Sequence, residues 1–319
     1  MDIFEASQTG NVKEIKKLLK DGENINKKDE YGWTPLLYAV SNAISLDTIK
    51  LLLENGADVN IKTNLGWTPL LQTVRYGNKN SLNIVRLLLK YGADVNAKNN
   101  DGFNALMYAV RYSNTSNSLN IVKLLLKHGA DVNAVENNGW TALMFASRFS
   151  NTASSLYLVK LLLKHGANVN AVEKNGWTAL MFAIYDSNTT SSLDTVKLLL
   201  DYGADVFHLV PNSLDDTVQL CPTKECKKLI AKYIWEKLSK SDKDLSILSQ
   251  IKGQKLPKEI RQIVILNKRQ QLLCSKLSSD KNKEVLFFFA LELNIPVTEK
   301  TTKAELCSLI SKQLASGRF

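Results

Sequence analysis

Five aromatic residues, each directly after a glycine, set the terms for this chain. Trp33, Trp67, Phe103, Trp140 and Trp177 follow one another at intervals of 34, 36, 37 and 37 residues. The strictest copy is KLLLKHGADVNAVENNGWTALMFA at 123–146. It returns at 160–183 with changes only at Asn168 for Asp131 and Lys174 for Asn137. A period of this size marks a stack of supersecondary units, in which each copy resembles the next because each must fit the next. The 319 residues could otherwise hold two ordinary domains, so the repeat is what decides between them and an extended array.

The units can be read locally. Thr34, Thr68, Thr141 and Thr178 sit where a side-chain oxygen can cap the first turn of a helix, and Pro35 or Pro69 beside them is preset for the first helical position. An inner helix therefore starts there. Downstream, SLNIVKLLLK places Leu119, Ile121, Val122, Leu124, Leu125 and Leu126 over an arc of about 220°, at about 100° per residue, and leaves Asn120, Lys123 and Lys127 for water. An outer helix so apolar needs cover on both flanks, which a stack supplies and an isolated unit does not. Gly22, Gly56, Gly92, Gly129, Gly166 and Gly203 stand just past these outer helices, where a left-handed cap is wanted.

GWTPLLYA (32–39), GWTPLLQT (66–73), GFNALMYA (102–109) and GWTALMFA (139–146 and 176–183), with GADVN or GANVN closing most units, resemble the ankyrin-repeat family. The resemblance covers about residues 1–207. It implies an all-α repeat solenoid of helix-turn-helix units carrying β-hairpin fingers at Gly32, Gly66, Gly102, Gly139 and Gly176. The family's TPLH histidine is replaced by Leu37, Leu71, Met107, Met144 and Met181. Its usual hydrogen bonds are therefore expected to be absent, with apolar packing in their place. Residues 1–26 read as a charged half-repeat cap, giving about six repeats in all, and 208–238 as a divergent closing repeat broken near Pro222. Extra residues fall between inner and outer helices as YSNTSNS (112–118), FSNTASS (149–155) and YDSNTTSS (185–192), and are expected to form longer polar loops along one rim.

Residues 239–255 read as a polar linker and 256–319 as a small helical C-terminal module. Charge separates the two parts: 1–207 carries 21 Lys/Arg against 19 Asp/Glu, whereas 208–319 carries 20 against 12. LPKEIRQIVIL resembles the opening of an F-box, the element that recruits ubiquitin ligases. That makes Leu256, Pro257 and Ile260 candidates for an adaptor tail. The segment NKEVLFFFALELNIPVTEKTTKAELCSLISKQL is similar to SAP-like or LEM-like modules, some of which bind DNA, and Lys300, Lys303 and Lys312 are its candidate phosphate contacts. Its second helix is expected to open at Thr302 or Lys303.

Chemistry is hard to place. The histidines are His128, His165 and His208, the first two being repeat equivalents at outer-helix ends, where imidazole simply faces the negative pole. No phosphate-binding Gly-rich loop, zinc-protease motif or nucleophile elbow is found, so neither an enzyme, a metal site nor a cofactor is expected. The four cysteines, Cys221, Cys226, Cys274 and Cys307, include no CxxC pair and suit buried reduced thiols. No apolar run approaches the roughly 20 residues of a membrane helix, and MDIFEASQTG lacks signal-peptide character. An intracellular protein, cytoplasmic or nuclear, with no membrane partner is the expectation.

What remains is binding. The resemblance puts Trp33, Trp67, Phe103, Trp140 and Trp177 beside the family's concave recognition face, where aromatics are favoured anchors. Either they capture a partner protein or they pack finger on finger. On the anchor reading, alanine at Trp140 and Trp177 abolishes capture and leaves the thermal midpoint within a few degrees. The near-identical units and the LPKEI tail are similar to ankyrin proteins of large DNA viruses, which implies a host protein as partner. A ubiquitin-ligase adaptor and a DNA-tethered module are the alternative readings.

Overall fold

The computed structural model describes residues 1–42, 45–76, 79–113, 116–148, 153–185 and 190–205, together with 223, 225, 226, 229, 230, 233, 302, 304–306, 308, 309 and 312. Two helices, α1 (Ile3–Thr9) and α2 (Val12–Lys20), form the leading half-repeat. Asp2 and Asn11 cap them by accepting the amides of Glu5 at 2.7 Å and Glu14 at 3.1 Å. From there inner helices α3 (Pro35–Asn42), α5 (Pro69–Tyr76), α7 (Ala105–Arg111), α9 (Ala142–Arg148) and α11 (Ala179–Tyr185) alternate with outer helices. These are α4 (Leu46–Glu54), α6 (Ser81–Lys90), α8 (Ser116–Lys127), α10 (Ala153–Lys164) and α12 (Thr190–Asp201). The fold is a helical ankyrin-type solenoid.

Each inner helix is opened by the expected cap. The amides of Leu37, Leu71, Met144 and Met181 donate to the hydroxyls of Thr34, Thr68, Thr141 and Thr178 at 3.2–3.4 Å, and Met107 N–H donates to Asn104 Oδ1 at 2.9 Å. The stack then buries both helix rows. Ile84, Val85, Leu88 and Leu89 of α6 are buried, as are Ile121, Val122, Leu125 and Leu126 of α8, while Asn120, Lys123 and Lys127 face water. Each such aliphatic side chain contributes about 2 kcal/mol of burial. Leu37, Leu71, Met107, Met144 and Met181 are all buried. One expectation needs correction, because Thr141 N–H donates to Met144 Sδ at 3.5 Å and Thr178 N–H to Met181 Sδ at 3.4 Å. The thioether is a weak acceptor aimed at the capping residue, so packing is not the sole replacement in those two units.

The extra residues between helices also behave differently from the expected loops. Helix α8 begins at Ser116, α10 at Ala153 and α12 at Thr190, each 12 residues long against 9 for α4 and 10 for α6. Part of the added length therefore prolongs the outer helix, and Ser118 Oγ donates back to Tyr112 O at 3.3 Å. The fingers are hairpin turns. In each, the base residue's N–H donates to the aromatic residue's carbonyl, as when Glu136 N–H donates to Trp140 O at 3.1 Å, and Gly139 N–H donates to Glu136 O at 2.8 Å. Isolated antiparallel bridges join Val135 to Thr141 and Val172 to Thr178, and no longer strand forms among the described residues.

Two polar ladders tie unit to unit. Asn26, Asn60, Asn96 and Asn133, from the closing motif, donate Nδ2 to the carbonyls of Gly56, Gly92, Gly129 and Gly166 at 3.0–3.2 Å. Their Oδ1 atoms accept the amides of Asp58, Asp94, Asp131 and Asn168 at 2.7–2.8 Å. At the fingertips Asn64, Asn100 and Asn137 donate Nδ2 back to Glu30 O, Asn64 O and Asn100 O. Lys174 in the last copy lacks that carboxamide, and only its amide bonds back, to Asn138 O at 2.9 Å. That is the structural effect of one of the two differences between the 24-residue copies.

The chain divides into two compact units, Met1–Phe182 and Ala183–Phe319. In the second, Tyr233 donates its hydroxyl to Leu200 O, Cys226 and Ile230 are buried, and Cys226 N–H donates to Thr223 Oγ1 at 3.2 Å. Thr302 opens a helical turn as expected: its hydroxyl accepts Glu305 N–H at 3.3 Å, while Glu305 Oε2 accepts Thr302 N–H at 2.7 Å. These hydrogen bonds hold the Glu305 carboxyl below its ordinary value. Among the described residues no helix is long and apolar enough to cross a membrane.

Candidate interaction surface

The finger aromatics do not stand alone. Each is half-buried and meets at least one inner-helix ring, and Trp67, Phe103 and Trp140 each meet two. Trp67 lies 5.2 Å from Tyr108, Tyr108 4.9 Å from Phe103, and Phe103 5.6 Å from Phe145. Phe145 is 4.9 Å from Trp140, Trp140 4.3 Å from Phe182, and Phe182 5.1 Å from Trp177. Finger ring and helix ring thus alternate in one stack across four fingers, at centroid distances where aromatic pairs attract. Trp33 sits apart from it, 5.2 Å from Tyr38, which in turn is 5.7 Å from Phe4.

The residue at each finger base fixes the aromatic's backbone. Trp33, Phe103, Trp140 and Trp177 donate their amides to the side-chain oxygens of Asp29, Asn99, Glu136 and Glu173 at 2.7–3.0 Å, and Trp67 donates to Thr63 Oγ1 at 3.1 Å. Where the inner ring is tyrosine, the same base residue meets its hydroxyl. Tyr38 donates to Asp29 Oδ2 at 2.7 Å, and Asn99 Nδ2 donates to the Tyr108 hydroxyl at 3.0 Å. Burial, reinforced by Asp29, pushes the Tyr38 phenol up to about 12. Burial likewise raises Tyr108 to about 12 against the lowering effect of Asn99. Both phenols stay neutral over the physiological range. Where the inner ring is phenylalanine, glutamate replaces the short base residue and turns to Asn138 or Asn175.

Three arginines border the stack. The Arg75 guanidinium lies 4.6 Å from the Tyr76 ring and 3.9 Å from Tyr112. Arg111 lies 5.6 Å from Phe103 and 5.4 Å from Phe145, and Arg148 lies 5.4 Å from Trp140 and 5.6 Å from Phe182. Arg111 and Arg148 are exposed. Among the described residues the ion pairs are Lys17–Glu14, Lys27–Glu23 and Lys50–Glu54, and none engages these arginines. Sequence reasoning missed them, though the signal was present: Arg75, Arg111 and Arg148 each stand eight residues after the finger aromatic in three consecutive units. Cation on ring face is worth about 0.5–1 kcal/mol at an exposed site, leaving the charge available to a ligand.

The structure gathers Trp67, Phe103, Trp140 and Trp177 into one row and places Trp33 at a separate position beside it. Leu256, Pro257, Ile260, Lys300 and Lys303 lie outside the described residues, while Lys312 is on a helical turn and exposed. His128 and His165 donate Nδ1 to the last-turn carbonyls of Leu124 and Leu161 at 2.9 and 2.8 Å, the expected bond to the helix end. His208 lies outside the described residues, as do Cys221, Cys274 and Cys307. Among the described residues no three His, Cys, Asp or Glu side chains converge as metal ligands would.

Comparison with known proteins bears on this arrangement. A model of ankyrin repeats in three copies matches residues 3–63, 45–136 and 116–208. The crystal structure of the ankyrin repeat domain of Bcl-3, a unique member of the IkappaB protein family, superposes with a TM-score of 0.59 at 26% identity. The match covers 72% of this chain and 97% of that one. A comparison with curated proteins gives no match.

Proposed function

The chain belongs to the ankyrin-repeat family, and on that premise we propose that it is a non-enzymatic scaffold holding a partner protein along the row of rings and arginines. The observation that carries this reading is the set of three arginines on aromatic faces, none of them ion-paired among the described residues. A fold-level likeness alone would leave function open. A guanidinium held on a ring is pre-oriented, so less side-chain entropy is lost when a carboxylate meets it. The partner is accordingly an acidic protein surface. The similarity to viral ankyrin proteins directs the search for it to host proteins.

Charge reversal tests this while leaving every ring of the stack in place. The double variant Arg111→Glu, Arg148→Glu is expected to keep the wild-type thermal midpoint within a few degrees and to lose the species that wild-type chain retains in quantitative affinity purification from its native cell. Retention of the same species in unchanged amount contradicts the proposal. The ligase-adaptor and DNA-tether readings rest on the tail sequence. A chain ending at Leu238, run in parallel, assigns to the tail whatever it alone fails to retain.

A further inference from the structure

Finger-base and inner-helix residues vary together along the row. Asp29 goes with Tyr38, Asn99 with Tyr108, Glu136 with Phe145 and Glu173 with Phe182, so each of these units sets an inner-helix ring against its own finger aromatic. The second unit departs from the pattern. Thr63 and Gln72 hold those two places. Trp67 leans on Tyr76 at 5.6 Å instead, and the stack is interrupted between Trp33 and Trp67.

The interruption leaves a recess of about 470 Å³ lined by Trp33, Trp67 and Gln72 and rimmed by Tyr31, Leu65 and Tyr76. Gln72 lines the recess at 7% exposure, and its carboxamide is not among the buried side-chain atoms without a partner, so its polar end keeps access to solvent. A carboxamide that meets water in an otherwise aromatic recess can exchange that water for a ligand hydroxyl. Tyr31, Leu65 and Tyr76, all lining the recess, are 64%, 66% and 55% exposed, so large apolar side chains gather at one surface site. Arg75, whose guanidinium lies 4.6 Å from the Tyr76 ring, adds positive charge beside it.

We infer that this recess takes one tyrosine side chain from an acidic segment of the partner protein. The inference rests on the scaffold reading above and names the partner's chemistry. The incoming ring lies between Trp33 and Trp67 as Tyr108 lies between Trp67 and Phe103, at 5.2 and 4.9 Å. Its hydroxyl meets the Gln72 carboxamide, which both donates and accepts. A carboxylate next to it in the segment faces Arg75, which lies on the rim residue Tyr76. A phenylalanine fills the same space and leaves Gln72 unmet, whereas an aliphatic side chain cannot stack.

The test titrates the full chain with a synthetic acidic peptide holding one tyrosine between aspartates, followed by tryptophan fluorescence. The expected result is saturable binding, weakened several-fold with phenylalanine in place of tyrosine. With alanine it weakens roughly thirtyfold, the loss of a hot-spot side chain. Gln72→Tyr puts a ring where the neighbouring unit already has one. It should stay folded and weaken the tyrosine peptide by a similar factor. If that variant does not fold, Leu65→Ser on the exposed rim serves in its place. Equal affinity for the tyrosine and alanine peptides, or for wild type and Gln72→Tyr, overturns the recess. Loss of that binding in Arg111→Glu, Arg148→Glu would then leave the scaffold reading intact. No binding of the tyrosine peptide at millimolar concentration also overturns the recess. Free tyrosine amide competing as well as the peptide would overturn a protein segment as the occupant.

Discussion

Gly66→Ala is expected to destabilise the compact unit Met1–Phe182 by about 2–5 kcal/mol, enough to unfold a marginal protein. Two costs add at this position. Gly66 has φ 78°, a left-handed conformation that an L side chain adopts at about 1–2 kcal/mol. A Cβ there would also stand 2.8 Å from the backbone nitrogen of Asn100 and 2.6 Å from its Oδ1. The side chain could move aside, but the backbone nitrogen belongs to the next finger, held by its bond to Leu65 O at 3.1 Å. Gly56→Ala is the control. Its φ is 87°, and nothing lies within 4 Å of the added carbon, so it loses only the conformational term. Denaturant unfolding of the two variants separates them. Equal losses would mean that fingers do not pack as closely as the structure has them.

Trp140→Ala is expected to cost about 3 kcal/mol, the scale of removing a large aromatic from packed surroundings, reduced because this one is half-buried. The indole lies 4.9 Å from Phe145 and 4.3 Å from Phe182, and carries Arg148 on its face. Removing it opens the stack in two units at once. Trp140→Phe keeps both ring contacts and should lose less than about 1.5 kcal/mol. Thermal unfolding of the pair reads the difference. A Trp140→Ala midpoint within a few degrees of wild type would make the rings pure anchors, as reasoning from sequence allowed. The structure instead gives each finger aromatic a packing role, leaving the arginines as the exposed charge at the same surface.

The contrast shows which features were legible in the chain. Thr34, Thr68, Thr141 and Thr178, the glycines after the outer helices and the Leu-rich runs repeat with the period, and each has one local physical reading. They appeared in the structure in the expected places. The polar ladder through Asn26, Asn60, Asn96 and Asn133 was harder to see, because its bonds span 30–35 residues and no local rule names their acceptors. The Met144 and Met181 thioethers were read as apolar since side-chain type alone does not say where a sulfur points.

Site features were hidden for a further reason. A repeat analysis keeps what is shared between units, whereas Arg75, Arg111 and Arg148 occur in three units and Gln72 in one. Thr63 and Gln72 look like ordinary surface substitutions until the rings on either side are placed in space. The finger-base residues Asp29, Thr63, Asn99, Glu136 and Glu173 share no chemistry beyond an oxygen acceptor, so no motif could have joined them. Tertiary position, not residue type, gives them one role.

The central claim is that the rings and arginines form the surface a partner occupies. Hydrogen–deuterium exchange of the full chain with and without its captured partner tests it most directly. The account predicts slowed exchange concentrated in the fingers and inner-helix ends at 67–76, 103–111 and 140–148, with the outer helices α6, α8 and α10 unchanged. Slowed exchange confined to those outer helices, with the fingers unaffected, would contradict it.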